Sequence, residues 1–328
     1  MRRITIESDG RESEHVVRKL QFSADGRILS GLLGGEGECP TVFRYDLEAD
    51  HELELPATDD DWEVGREEAQ IDPCVSRDGE IIVEVLRRES GYRGLRIMDV
   101  WAKPVGVSWI MHDDASPLPT AMTFSNDCET LWTVGVQLEN GPETLAAWAV
   151  QDLIELHQPI PSTVLSVEVG KNKSETCAIA LHPTERMLLR AAVDRRVELV
   201  HLVERESPIE LCPAVTQFGD FDPTLLFAPN GSTVLVVDEF TTKLWTLDGR
   251  LFASIPVDAG TAVTFSPDSR SILSAHYNGD IVTRTVADGR EVARLNFGLG
   301  PVTGLAFAPE GLTAAAGLTD GTIVIWDV

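Results

Sequence analysis

The densest set of reactive side chains in this 328-residue chain is a short acidic run in which Asp59, Asp60 and Asp61 precede Trp62, with Glu67 and Glu68 close behind. Carboxylates crowded beside an indole offer three kinds of chemistry. They can attract a basic peptide, with Trp62 as an apolar or cation–π anchor. They can give hard oxygen ligands to calcium, although adjacent residues point in different directions and the alternation of an EF-hand loop is missing. Or they can simply keep a loop solvated. The run sits in a wider field, because residues 36–80 hold 16 acids and 3 bases, a net charge of -13 out of -26 for the chain.

Other chemistry-bearing residues are scattered. The seven histidines, His15, His51, His112, His157, His182, His201 and His276, show no HxH or HExxH spacing, so a histidine-rich metal site is not expected. The five cysteines, Cys39, Cys74, Cys128, Cys177 and Cys212, lie at least 35 residues apart. Without a CxxC pair, they read as free, buried or half-buried thiols. No GxSxG elbow, Walker loop or dinucleotide fingerprint occurs. Gly31-Leu32-Leu33-Gly34-Gly35-Glu36-Gly37 is glycine-rich but lacks phosphate-loop spacing and a following Lys, and it reads as a flexible loop. No catalytic residue, metal ligand or cofactor is therefore assigned. Gln151 to Pro159 contains Leu153, Ile154 and Leu156 at a spacing that suits one short helical turn, either packed on the frame or offered to a partner.

Bulk composition narrows the partners. With 53 acids against 27 Lys and Arg, the surface is strongly negative, which disfavours nucleic acid and anionic membrane. A hydrophobic content of 43% with 24% charged residues describes a folded chain with a sizeable core. Arg2 and Arg3 are not followed by an apolar run, so no signal peptide is expected. No apolar stretch approaches the ~20 residues of a spanning helix. A soluble, cytoplasmic protein is expected, with its oligomeric state open.

What must position all of these residues is a repeat. An apolar residue, a small or polar one and a turn recur as Phe22-Ser23-Ala24-Asp25-Gly26, Val75-Ser76-Arg77-Asp78-Gly79, Phe124-Ser125-Asn126-Asp127-Cys128 and Leu181-His182-Pro183-Thr184-Glu185. The series continues with Phe227-Ala228-Pro229-Asn230-Gly231, Phe265-Ser266-Pro267-Asp268-Ser269 and Phe307-Ala308-Pro309-Glu310-Gly311. Successive anchors lie 53, 49, 57, 46, 38 and 42 residues apart, a mean of about 47 that matches the ~40–50 residue periods of propeller repeats. Each tail suits a hairpin turn, because Pro presets φ and Asp, Asn and Gly tolerate turn conformations. Short β-prone runs flank the anchors, such as Ser271 to Ala275, Asp320 to Asp327 and Glu291 to Leu295. Four antiparallel strands per repeat make one propeller blade. Length alone suggests two domains; the repeat replaces that with one seven-bladed domain over residues 1–328.

The last repeat, from Val302 to Phe307-Ala308-Pro309 and on to Leu318-Thr319-Asp320-Gly321-Thr322-Ile323-Val324-Ile325-Trp326-Asp327, resembles the WD40 family. Elsewhere Met98-Asp99, Trp148-Ala149 and Trp245-Thr246 stand where Trp-Asp is usual, and no repeat has a clear Gly-His before its first strand. Asp72 to Gly79 is also similar to the propeller repeat of TolB-type proteins. The resemblance implies architecture rather than activity, with loops gathered on two faces; the repeat and the lack of catalytic motifs lead to the expectation of a non-enzymatic interaction scaffold. It leaves open a propeller hydrolase or lyase with a metal or carboxylate site at the channel mouth. The seventh repeat reaches only a third strand by Val328, so a strand near Arg3 to Glu7 is expected to complete it and close the ring. On this reading the acidic run is a rim for a basic protein or peptide.

Overall fold

The computed structural model describes residues 1–6, 16–34, 41–53, 73–87, 93–99, 107–111, 118–136, 143–155, 163–167, 176–184, 186–194, 196–202, 208–212, 223–237, 241–256, 262–298 and 300–328. Strand β1 (Arg2–Thr5) comes first. Blade one is β2 (Val17–Phe22), β3 (Ile28–Leu33), β4 (Thr41–Asp46) and β5 (His51–Glu52). Blade two is β6 (Cys74–Val75), β7 (Ile81–Arg87), β8 (Arg93–Asp99) and β9 (Val107–Met111). Blade three is β10 (Leu118–Phe124), β11 (Thr130–Val136), β12 (Glu143–Ala149), then helix α1 (Val150–Glu155) and β13 (Thr163–Val167). Blade four is β14 (Thr176–Leu181), β15 (Met187–Ala192), β16 (Val197–His201) and β17 (Ile209–Cys212). Blade five is β18 (Thr224–Phe227), β19 (Thr233–Val237), β20 (Thr241–Thr246) and β21 (Leu251–Pro256). Blade six is β22 (Val263–Phe265), β23 (Ser271–Ala275), β24 (Asp280–Thr285) and β25 (Glu291–Asn296). Blade seven is β26 (Val302–Phe307), β27 (Thr313–Leu318) and β28 (Thr322–Asp327), with β1 as its fourth strand. These are seven four-stranded antiparallel sheets, the β-propeller architecture expected from the repeat.

Every anchor residue ends the first strand of a blade, and the turn that follows is made the same way each time. In blade one the N–H of Ser23 donates to Ile28 C=O at 2.8 Å and the N–H of Gly26 to Ser23 C=O at 2.9 Å. Equivalent first bonds start at Ser76, Ser125, His182, Ala228, Ser266 and Ala308. The fifth anchor position is left-handed, with φ of 74° at Gly26 and Gly311 and 75° at Gly79 and Gly231. Cys128 and Ser269 hold the same conformation at 61° and 62°, which a side chain tolerates poorly. Ser269 has a compensating contact: its hydroxyl accepts the N–H of Asn230, in the anchor of the preceding blade, at 3.0 Å.

The chain divides into two compact units, residues 1–54 with 223–328, and residues 55–222. In the first, blades one and seven share a core of Ile4, Val17, Phe22, Leu29, Phe43, Ala315 and Ile323. The fit there is close enough that a Cβ on Gly317 would lie 2.2 Å from Val17 Cγ1. In the second, α1 buries Val150 and Leu153 among Ile81, Val83, Ile97 and Leu131 of blades two and three. The expected short helix is thus a packing element, six residues long. No helix among the described residues is long and apolar enough to cross a membrane.

One expectation needs correction. Gly31, Leu32 and Leu33 belong to β3 and are buried rather than lying in a flexible loop. Gly31 is there for close approach: a Cβ would come 2.3 Å from Lys19 O and 2.5 Å from the Phe43 ring. Residues 35–37 of that stretch lie outside the described residues.

The N-terminal strand fills the open edge as expected, one residue earlier than the sequence suggests. Arg2, Arg3, Ile4 and Thr5 pair antiparallel with Ile325, Val324, Ile323 and Thr322. Beyond this ladder, Arg2 reaches the turn between β4 and β5 of blade one, donating to Leu47 C=O at 2.8 Å and pairing with Asp50. Ile4 is 5% exposed, so an Ile4→Asp substitution, which buries a charge, is expected to lower stability by roughly 3 kcal/mol or more. Arg2→Ala removes an exposed pair and is expected to cost about 1 kcal/mol or less. Thermal melts of the two variants check this, and equal losses would contradict the strand-pairing account.

Candidate functional site

The residues singled out for binding, Asp59, Asp60, Asp61, Trp62, Glu67 and Glu68, lie outside the described residues, as do Cys39, His15, His112 and His157. The remaining candidates do not converge. Cys74, Cys128, Cys177 and Cys212 are half-buried, and burial pushes the Cys128 thiol up. Among the described residues, no group of three or more His, Cys, Asp or Glu side chains is placed to hold a metal ion.

The anchor acids are committed to turns. Asp25 accepts from the Ser23 hydroxyl at 2.6 Å and from the N–H of Arg27 at 3.0 Å, while the Ser23 hydroxyl oxygen accepts the N–H of Ile28. Asp78 and Asp268 repeat this geometry with Ser76 and Ser266. The Ser hydroxyl and then the backbone N–H hold the carboxyls of Asp25, Asp127 and Asp268 below the usual carboxylate range. In blade four the ring of His182 takes over, its Nδ1 accepting the N–H of Thr184 at 3.2 Å. The Ser-x-Asp motif and His182 thus serve as turn chemistry.

Among the described residues, a buried charge cluster that the repeat pattern does not reveal joins blades three and four. Arg190 on β15 is 3% exposed and Glu143 on β12 is 1% exposed, and they meet at 2.9 Å. A second guanidinium nitrogen of Arg190 reaches Glu198 of β16 at 2.7 Å. Its Nε donates to the Thr176 hydroxyl, and the N–H of Thr176 donates to Glu143 at 2.6 Å. The network continues outward, with Arg196 lying 3.8 Å from Glu198 and 2.6 Å from Asp194. Its visible signal is the one charge in the otherwise apolar run of β15, Met187-Leu188-Leu189-Arg190-Ala191-Ala192. Donors hold both oxygens of Glu143, and the cluster joins blade three to blade four.

A second polar contact lies inside blade three, where Trp148 Nε1 donates to the Thr133 hydroxyl at 3.0 Å. Trp148 stands opposite Leu131 in the ladder, so its acceptor is two residues further along the neighbouring strand. In blades five and seven Trp245 and Trp326 stand opposite Val234 and Ala314, and the corresponding positions hold Val236 and Ala316. Neither side chain has a hydroxyl, and both indole N–H groups lack a partner among the described residues.

Two carboxyls shielded by donors are held well below the usual carboxylate range. Asp280 is held at about 2 by donation from Asn296, Arg294 and Asn278, and Asp46 at about 2 by Arg27 and the N–H groups of Ala49 and Glu48. Because the folded state holds these groups below 3.8, the stability they lend is complete above about pH 4 and is lost as pH falls through about 2. The urea midpoint is therefore expected to drop across this acid window, and less steeply in Asp280→Asn. For the buried cluster, Glu143→Gln is expected to cost about 3 kcal/mol, while Glu143→Met combined with Arg190→Met costs less than the sum of the singles. Urea titrations of the four proteins would measure the coupling, and additive losses would show that the pair is not one unit.

In comparison with known families, the family model of the WD domain, G-beta repeat, matches residues 292–327. The matched stretch begins in β25 and ends in β28, so a sequence repeat starts in the outer strand of one blade and finishes in the third strand of the next. A search of curated proteins finds no match to the chain.

Proposed function

We propose that this chain, a β-propeller of the WD40-repeat family, is a protein-interaction platform that captures a basic protein or peptide through its acidic segment. WD40 propellers are commonly scaffolds for protein binding and are typically not enzymes. The observation that carries the reading is charge placement: half of the net charge of -26 falls within residues 36–80. A field so localised raises the encounter rate with a cationic partner and selects against acidic ones. Trp62 would then give the contact an apolar or cation–π anchor, which charge alone does not supply.

A rigid frame suits this role. Loops presented from several blades lose little freedom when a partner seats, so more of the contact energy appears as affinity. The same charge disfavours nucleic acid and anionic membrane as partners. We also take the seven blades to work as one domain, which calorimetry can test: one cooperative transition is expected, and two resolved transitions would divide the chain.

The binding proposal is tested by capture of partners at moderate salt with the natural chain and with Asp59, Asp60 and Asp61 changed together to Asn. Partners rich in Lys and Arg are expected to be lost from the variant and to elute at rising salt. Capture of the same partners at the same salt by both proteins would reject the acidic rim. A parallel variant, Trp62→Ala, is expected to weaken binding by roughly tenfold while leaving its salt dependence unchanged.

A further inference from the structure

In blades one, three, six and seven the fifth anchor residue points at the anchor of the blade before it. A Cβ on Gly26 would lie 3.6 Å from Pro309 Cδ and from Glu310 Oε2, in the anchor of blade seven. One on Gly311 would lie 3.6 Å from Pro267 Cδ, in the anchor of blade six. At Ser269 the same direction ends in a hydrogen bond, because the hydroxyl accepts the N–H of Asn230, the fourth residue of the blade-five anchor, at 3.0 Å. Cys128 occupies this position in blade three, with φ of 61° against 62° at Ser269. After burial itself, the groups that act on its thiol are the N–H groups of Asp78 and Arg77 and the Asp78 carboxylate. Asp78 is the fourth residue of the blade-two anchor, so it stands to Cys128 as Asn230 stands to Ser269.

We propose that the fifth anchor position is a clasp between successive blades, and that Cys128 closes it between blades two and three by accepting the N–H of Asp78. Glycine takes a positive φ without steric cost, so a side chain kept there needs a contact that offsets the strain. The turn of blade three does not itself require the thiol, because the N–H of Ser125 to Thr130 C=O at 2.8 Å and that of Cys128 to Ser125 C=O at 3.0 Å already close it. The blade-two turn uses the N–H groups of Ser76 and Gly79 in the same way, which leaves that of Asp78 for the neighbouring blade. The third anchor residue then sets how many donors the clasp has. In blade five it is Pro229, which has no N–H, so Asn230 alone donates to Ser269. In blade two it is Arg77, which adds a second N–H beside a larger but weaker sulfur acceptor. The clasp does not depend on what the platform binds.

Hydrogen–deuterium exchange of the full chain, read at single amides by nuclear magnetic resonance, tests the clasp. In Cys128→Gly the Asp78 amide is expected to exchange roughly tenfold faster, while the Gly79 amide, bonded to Ser76 C=O at 2.9 Å within its own turn, keeps its natural rate. Cys128→Ser is expected to bring the Asp78 amide back toward its natural rate, which a thiol acting only through packing would not do. Ser269→Gly gives the parallel case, with faster exchange at Asn230 and none at Gly231. An Asp78 amide that exchanges equally in the natural chain and in Cys128→Gly would overturn the proposal. The thermal midpoint gives a second reading: relief of left-handed strain alone would raise it in Cys128→Gly, whereas loss of the clasp leaves it level or lower. A higher midpoint would show a strained side chain with no offsetting contact and would also overturn the proposal.

Discussion

An outer strand edge carries a row of backbone N–H and C=O groups that must find partners or remain open to any passing strand. In blade seven that edge belongs to β28, and β1 is what covers it. The pairing does more than satisfy hydrogen bonds. It carries Ile4 and Ile6 into the core that blade seven shares with blade one, and it brings Arg2 within reach of Leu47, Asp50 and Tyr45. The Thr303 hydroxyl donating to Val17 C=O at 2.6 Å ties the same two blades from the other side. Sheet, core and turn thus meet at one seam.

Within the frame, neighbouring blades are joined by different chemistry. Blades one and seven meet through an apolar contact so tight that Gly317 and Gly304 cannot carry a Cβ without displacing Val17 or Leu20. Blades three and four meet through the Arg190–Glu143 pair. Blades five and six are linked by the hydroxyl of Ser269. The turn geometry is common to the anchors, whereas the joint between blades is solved locally. A buried ion pair adds little net stability compared with apolar packing, but it tolerates only one register.

The frame was legible in the sequence because each anchor needs the same residues for the same bonds. Phe22, Phe124, Phe227, Phe265 and Phe307 all end first strands, and the Ser-x-Asp or Pro-x-Gly turn behind them is a local device. The completing strand was legible from the unfilled place in the last repeat. The Arg190 cluster was not, because Glu143 and Arg190 are 47 residues apart and nothing local requires them to meet. The glycine at 31 was misread for a similar reason: its need for a small side chain comes from Lys19 and Phe43 on the two flanking strands, not from its sequence neighbours. The acidic segment is legible as charge, since charge needs no register to be counted.

The pairing of β1 with β28 also has a kinetic side. Arg2 meets Ile325, and Thr5 meets Thr322, across almost the whole length of the chain. Such contacts are the slowest to form, because the largest loop must close before any of them is rewarded. During synthesis β1 emerges well before its partner strand β28. It must therefore stay available while the strands between them are made, and blade seven cannot be completed before β28 appears. The charges of Arg2 and Arg3 help to keep such a waiting strand from pairing with the wrong edge.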